Sequence, residues 1–425
     1  MKRAYRMLYL EKREGCCMVE RKEYLQKLWS WKDEQMIKVV TGIRRCGKST
    51  LLKQYQNKLK SAGVTEEQII SINFEELENE PLLDYKSLYQ YIKERLCEDK
   101  MTYIFLDEIQ KVTSFEKVVD SLHVKENIDI YITGSNAYML SGDLATLLTG
   151  RYVEISMLPL SFKEYVEITG IPKEQAFSEY MKTGGFPYIA VMDRTDEKVE
   201  IYLEGIYNTV IVRNIEDRQA RKEMNCGKRK ITDITLLKTI ARYLASVIGS
   251  PISIKSITNY LISSGRKVSA NTVSDYVDAL TESFIFYSVD RFDIVGKQLL
   301  KVNKKLYMVD LGLRNHILPR KRYDLGFSIE NIVFFELLRR GNKVNIGKYG
   351  ATEVDFVAQK QGVIVYYQVT ADMTAEETFE REMRPLQEIK DNYEKIVLTL
   401  DHFSLGNYDG IKVINVIDWL LENQI

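Results

Sequence analysis

Gly42-Ile43-Arg44-Arg45-Cys46-Gly47-Lys48-Ser49 is the stretch on which the reading of this chain turns. Its spacing, G-x-x-x-x-G-K-S, suits a loop that wraps a phosphate. Glycines let backbone N–H groups approach closely, the lysine neutralises oxyanion charge, and the serine hydroxyl can meet a magnesium ion. Met36-Ile37-Lys38-Val39-Val40 reads as a strand leading in, and Ser49-Thr50-Leu51-Leu52-Lys53-Gln54-Tyr55 as a helix leading out. That strand–loop–helix setting is what the motif requires. A glycine-rich turn before a helix is the competing reading, and other motifs must decide between the two.

At roughly 100–200 residues per domain, a chain of 425 residues predicts two to four domains. Lys+Arg and Asp+Glu stand at 60 each, so any basic patch for a polyanion must be local. The cysteines (Cys16, Cys17, Cys46, Cys97, Cys226) form no C-x-x-C pair, and His123, His316 and His402 are scattered. That pattern argues against structural zinc and for a reducing, cytoplasmic setting. No apolar run approaches the about 18 residues that would span a bilayer, so no membrane association is expected. Residues 1–17 are net basic and lack the apolar length and cleavage site of a signal peptide. They are expected to be a non-native extension ahead of a true start at Met18, or else a short N-terminal arm.

From Arg21 to about Tyr165, apolar runs alternate with amphipathic helical patterns, as in a parallel α/β sheet. Strands are expected at Met36–Thr41, Ile69–Asn73, Thr102–Asp107, Ile128–Thr133 and Arg151–Ile155. Helices are expected at Lys48–Lys60, Tyr85–Glu98, Ser114–Ser121 and Asp143–Leu148. The apolar run Thr102-Tyr103-Ile104-Phe105-Leu106 ends in Asp107-Glu108, about sixty residues beyond the loop. In that position Asp107 would hold Mg²⁺ together with Ser49, and Glu108 would polarise water as a general base. Ile130-Tyr131-Ile132-Thr133-Gly134-Ser135-Asn136 is a third strand end, where Asn136 or Ser135 would contact a γ-phosphate or simply cap a helix. Arg151 would reach a phosphate, in its own or a neighbouring subunit, or serve in a structural ion pair.

The combination of Gly-Ile-Arg-Arg-Cys-Gly-Lys-Ser, Phe-Leu-Asp-Glu-Ile-Gln, Thr-Gly-Ser-Asn and Gly-Arg…Pro-Leu-Ser-Phe-Lys-Glu-Tyr resembles the prokaryotic AAA-superfamily ATPases related to the archaeal-ATPase clade. Gly184-Gly185-Phe186-Pro187 is similar to that family as well. The resemblance implies an α/β P-loop core that binds and hydrolyses ATP with Mg²⁺, followed by a C-terminal domain of unknown function. The loop residues Gly42, Ile43, Arg44, Arg45, Cys46, Gly47, Lys48, Ser49 and Thr50 would bind ATP; Lys48, Glu108, Asn136 and Arg151 would act in catalysis; Ser49 and Asp107 would take the metal.

Residues 18–168 are then the expected ATPase domain and 169–230 a helical lid or connector. The connector has helices at Glu174–Met181 and Lys198–Ile211 and a basic run from Arg218 to Lys230. Residues 231–322 look like a winged helix, with helices Thr235–Val247, Ile254–Ser263 and Ala270–Glu282 and wing strands Ser283–Phe292 and Lys304–Val309. DNA phosphates would be met there by Arg266, Lys267, Lys297, Lys301, Lys304 and Lys305. Residues 323–425 form a second α/β unit. Glu353-Val354-Asp355-Phe356 followed by Tyr367-Gln368-Val369-Thr370 resembles the restriction-endonuclease-like PD-(D/E)XK arrangement, with Glu330 or Glu336 as helix acid and Asp355 as strand acid. Where that arrangement needs Glu-x-Lys, this chain has Gln368-x-Thr370, and a neutral amide is a poor ligand for a hard cation. The domain is therefore expected to be an inactive nuclease-like fold. The leading expectation is an ATPase driving or switching another process. An ATP-regulated DNA-binding protein and an ATP-gated nuclease are the alternatives, with DNA, a protein partner or a homo-oligomer as possible associations.

Overall fold

A computed structural model describes residues 19–137, 148, 150–222, 233–318 and 325–422, with only the backbone of 212–222 and 301–303. The helix expected over residues 143–148 lies outside these apart from Leu148, as do residues 1–17, Cys226 and much of the basic run after Arg218. The chain divides into two compact units after Met157.

The first unit is a five-stranded parallel sheet. Its strands are β1 (Ile37–Thr41), β2 (Ile69–Asn73), β3 (Thr102–Asp107), β4 (Ile128–Gly134) and β5 (Tyr152–Ser156). The spatial order is β2-β3-β4-β1-β5, so β4 is inserted between the strand that feeds the loop and the strand that ends in Asp107. Because all pairings are parallel, the carboxyl ends of β1, β3 and β4 line one edge. β1 and β3 are buried along their whole length, which accounts for the apolar run of β3 and leaves Lys38 a buried charge within β1. The helix Lys48–Ser61 leaves the loop, Tyr85–Lys93 is capped by Asp84 through the Ser87 N–H, and Phe115–His123 follows β3. Lys22–Ser30, a helix the periodicity did not reveal, precedes β1. Tyr85–Lys93 is shorter than expected, stopping well before Glu98.

The second unit begins with Phe162–Thr169, opened by a capping box in which Ser161 and Glu164 each accept the other's backbone N–H. Lys173–Thr183 follows and ends at Gly184. The Asp310 carboxylate fills this elbow, accepting the Gly185 N–H at 2.6 Å and the Leu313 N–H at 3.0 Å. A Cβ on Gly184, whose φ is +77°, would lie 2.1 Å from Asp310 Oδ1, so glycine is required there. Burial pushes the Asp310 carboxyl up to about 6 against these hydrogen bonds and the nearby Arg339. Asp196–Lys222 is one long helix that takes in the charged stretch expected to be a connector. Its buried residues Val199, Leu203, Ile206, Tyr207 and Val210 recur at helical spacing.

Helices Ile234–Ser246, Ile254–Ser263 and Ala270–Glu282, with β6 (Pro251–Ile252), β7 (Phe286–Asp293) and β8 (Gln298–Met308), follow in the order helix–strand–helix–helix–strand–strand. Asp233, Ser253 and Ser269 cap the three helices. The remainder comprises the helices Leu311–Ile317, Leu325–Arg339, Glu376–Glu388 and Val416–Leu421, with β9 (Lys343–Tyr349), β10 (Thr352–Lys360), β11 (Val363–Thr370), β12 (Glu394–Thr399), β13 (Gly406–Tyr408) and β14 (Ile411–Asn415). The expected regions 231–322 and 323–425 are not separate sheets. β7 pairs in parallel with β9, producing one nine-stranded sheet in the order β13-β14-β12-β11-β10-β9-β7-β8-β6. The helix Glu376–Glu388 carries Pro385 in its last turn and runs on to Glu388.

Candidate functional site

The loop leaves β1 at Gly42, whose φ of +144° and close approach to the backbone exclude a side chain: a Cβ there would lie 2.1 Å from the Met157 carbonyl oxygen. Arg45 and Gly47 also take positive φ, at +68° and +104°, and curl the loop onto the start of the helix Lys48–Ser61. The Leu51 N–H donates to the Gly47 carbonyl, so the N–H groups of Lys48, Ser49 and Thr50 precede the helical ladder and are available to an anion. From behind, the buried Arg21 donates to the Cys46 carbonyl at 3.2 Å.

Lys48 is buried, its ammonium 3.0 Å from the Gly42 carbonyl, 3.3 Å from that of Ile43 and 3.7 Å from Glu108 Oε1. Ile43 and Cys46 are buried, Arg44 is half-buried with its guanidinium 3.7 Å from Glu75, and Arg45 is exposed. Burial raises the Cys46 thiol pKa against the pull of Lys48 and Arg21, so this sulfur stays protonated beside the loop.

Asp107 ends β3 and is buried at 7% exposure. Desolvation raises its pKa, opposed by hydrogen bonds from the Ser49 and Thr133 hydroxyls. A buried carboxylate held up by desolvation, with a serine hydroxyl beside it, is the donor set that a hard divalent cation would relieve. Glu108 breaks from the strand with φ +56° and ψ +44°, a left-handed conformation that costs on the order of 1–2 kcal/mol for a non-glycine residue. The Thr133 hydroxyl holds this turn by accepting the Glu108 N–H at 2.9 Å. Glu108 Oε2 accepts from the Ser135 hydroxyl at 3.0 Å and from the Gln110 amide. Burial works to raise the Glu108 pKa, but Lys48, Arg44 and those two hydrogen bonds outweigh it and the net shift is downward. The carboxylate is therefore ionised at neutral pH. The buried Oε1 of Gln110 has no protein partner and leaves an acceptor open beside Glu108.

Ser135 and Asn136 are both buried just past the tip of β4. Ser135 faces Glu108, so of the two polar residues proposed for that strand end it is Ser135 that joins the acidic pair. Arg151 is not brought to the loop. It stands immediately before β5, at the opposite edge of the sheet from Gly42, since Ile37 at the start of β1 lies beside Tyr152. Its guanidinium pairs with Asp120 across an exposed surface. That placement keeps Arg151 away from the loop of its own chain and agrees with the ion-pair reading. Thr133 and Gln110 were quoted within motifs but given no role, and Arg21 had no signal in the sequence.

In the second unit Lys305 is buried between carboxylates rather than displayed on the wing, and Lys304 pairs with Asp290 at 3.0 Å. Lys267 and Lys297 are exposed. Among the described residues no helix is long and apolar enough to cross a membrane.

Strand order, loop and acidic strand ends together define a P-loop core of the AAA class, and residues 34–166 match a family model described as an AAA domain. Residues 174–324 match a domain of unknown function, DUF8612. An uncharacterized protein of Haemophilus influenzae is 41% identical over 411 residues, spanning 95% of this chain and 99% of that protein. An uncharacterized protein of Methanocaldococcus jannaschii is 30% identical over 412 residues, spanning 90% and 85% respectively. The chain belongs to one family with these two proteins, and within it residues 34–166 are an AAA domain. Among solved structures it is similar to a Walker-type ATPase of Pyrococcus abyssi, at 16% identity and a TM-score of 0.48, covering 70% of this chain and 95% of that one.

Proposed function

We propose that the chain is a Mg²⁺-dependent ATPase whose hydrolytic site lies at the carboxyl edge of the five-stranded sheet. The observation that carries this reading is the convergence of Lys48, Asp107, Glu108 and Ser135 there, with Glu108 held ionised beside the Lys48 ammonium. Backbone N–H groups from Gly47 to Thr50 surround the phosphates, and Lys48 trades its two loop carbonyls for β- and γ-phosphate oxygens. Ser49 and Asp107 would hold Mg²⁺, which would supply charge neutralisation to the transferring phosphoryl group. Glu108, pinned through Oε2 by Ser135 and Gln110, keeps Oε1 to accept a proton from water. Asn136, beside Ser135, is assigned to the γ-phosphate or to the attacking water.

Nucleotide affinity tests the first half of the proposal. Lys48→Ala should weaken Mg·ATP binding by at least tenfold in equilibrium titration, measured on protein shown by circular dichroism to remain folded. Wild-type affinity in that variant would refute the site.

A second reading, ATP-regulated DNA binding, is favoured by the strand and helix order from Ile234 to Met308. Among the described residues, Lys267 and Lys297 are exposed and available for phosphate, with Asn271 exposed at the start of the third helix; the side chain of Lys301 lies outside them. Duplex affinity that falls steeply with salt, and drops further in Lys267→Glu/Lys297→Glu, would support it; salt-independent or absent binding would remove it.

A further inference from the structure

β8, β10 and the helix Leu325–Arg339 bring three acids of the second unit to one place, and a lysine stands among them. Lys305 Nζ lies 3.2 Å from Glu330 Oε1 and 2.9 Å from Glu353 Oε1, and the lysine is 4% exposed. The Tyr307 hydroxyl donates to the same Glu330 oxygen at 2.6 Å, and Arg291 takes the other oxygen of Glu353 at 3.0 Å. Asp355 accepts the Val369 N–H at 2.8 Å; burial raises its carboxyl pKa, Glu330 adding to the rise and Lys305 opposing it. Both ends of the Gln368 amide are engaged, its oxygen by the Asp355 N–H at 3.3 Å and its nitrogen by Glu382 at 3.0 Å.

These residues do not fit a divalent ion. A hard cation takes six or more oxygens, several of them carboxylate or water. Here Glu330 Oε1 and both Glu353 oxygens face an ammonium, a hydroxyl and a guanidinium, Asp355 Oδ2 accepts a backbone N–H, and the neighbouring amide is engaged at both ends. A second positive centre beside Lys305 would meet a like charge in a poorly solvated place.

We propose that the Lys305 ammonium is the resident cation of this carboxylate cluster, so that the nuclease-like sheet is closed to divalent metal by a side chain of its own. Lys305 is contributed by a wing strand, Glu330 by a helix and Glu353 by β10. The cluster therefore also acts as a charged clasp that fastens the winged helix to the sheet it extends. This holds whether or not the P-loop turns over ATP.

The test is Mn²⁺ titration calorimetry on the nucleotide-free full chain. Lys305→Ala should take up one Mn²⁺ more than the wild type, and Lys305→Ala/Glu330→Gln should lose it. Lys305→Arg keeps the charge and should match the wild type. If Lys305→Ala folds poorly, millimolar Mn²⁺ should raise its melting temperature while leaving that of Lys305→Arg unmoved. Two results would overturn the proposal: no Mn²⁺ effect on Lys305→Ala by either readout, or uptake by the wild type that Glu330→Gln abolishes.

Discussion

Lys38 is the residue whose removal most sharply tests how the loop is supported. It sits on the central strand β1, completely buried, with its ammonium 2.5 Å from Asp129 Oδ1 on β4 and 2.8 Å from the Glu34 carbonyl. Asp129 is 1% exposed and also accepts the Asp33 N–H at 3.0 Å and the Tyr131 hydroxyl at 2.8 Å. Tyr131 in turn meets Tyr55, on the helix that leaves the loop, at 3.1 Å between hydroxyl oxygens. The strand that enters the loop and the helix that leaves it are thus tied to one buried charge pair. Removing one partner of such a pair strands the other charge and costs about 3–5 kcal/mol, whereas removing both costs far less. Lys38→Met and Asp129→Asn should each destabilise the first unit by that amount, and Lys38→Met/Asp129→Asn by at least about 2 kcal/mol less than the sum. The chain has only three tryptophans, and Trp29 and Trp31 lie in the first unit. In a Trp419→Phe background, urea unfolding followed by tryptophan fluorescence therefore reports on that unit alone. Trp29 packs 6.3 Å from Tyr55 between ring centroids, which places the probe on the network. Additive single effects, or singles below about 1 kcal/mol, would refute the reasoning.

Two further perturbations address the loop and the glycine elbow. Gly42→Ala forces a Cβ into the Met157 carbonyl at an unfavourable φ, so Mg·ATP affinity should fall at least tenfold, roughly 1.4 kcal/mol, in the same titration used for Lys48→Ala. Unchanged affinity would mean that the loop conformation is not the binding conformation. Asp310, held near 6 in the folded chain, binds its proton more tightly there than when unfolded. Its contribution is therefore complete below about pH 4 and is lost as pH rises through about 6, a change on the order of 3 kcal/mol. Asp310→Asn should be less stable at pH 5, since it has one acceptor for two N–H donors, but should flatten that stretch of the stability–pH curve; an unaltered slope would reassign the titration.

Much of the first unit was legible because its signals are local. β3 is a nearly unbroken apolar run, and β2 and β3 fall over the expected residues. The loop, the Asp107-Glu108 pair and the polar end of β4 are readable as strand-end chemistry. Strand order is not local, and neither is the pairing of Lys38 with a carboxylate 91 residues away. In sequence Lys38 looks like an ordinary lysine in an alternating strand. Lys304 and Lys305 show the same difficulty. As neighbours in basic sequence they suggested two phosphate anchors, but side chains alternate across a strand, and β8 turns one toward Asp290 and the other into the sheet. Arg151 lies away from the loop of its own chain because Gly150-Arg151 precedes β5, whereas catalytic edges gather where parallel strands end. The departure at Gln368 and Thr370 was readable in the sequence, but the lysine that closes the site comes from a strand more than sixty residues earlier.

The central claim is that Glu108 is the base of a hydrolytic P-loop site. Single-turnover hydrolysis of radiolabelled Mg·ATP by the purified full chain, with binding measured in parallel, addresses it directly. Wild-type protein should release phosphate, while Glu108→Gln should bind Mg·ATP with affinity within a few-fold of the wild type and hydrolyse it at least a hundredfold more slowly, the lower range expected for a lost general base. Hydrolysis by Glu108→Gln at the wild-type rate would contradict the account.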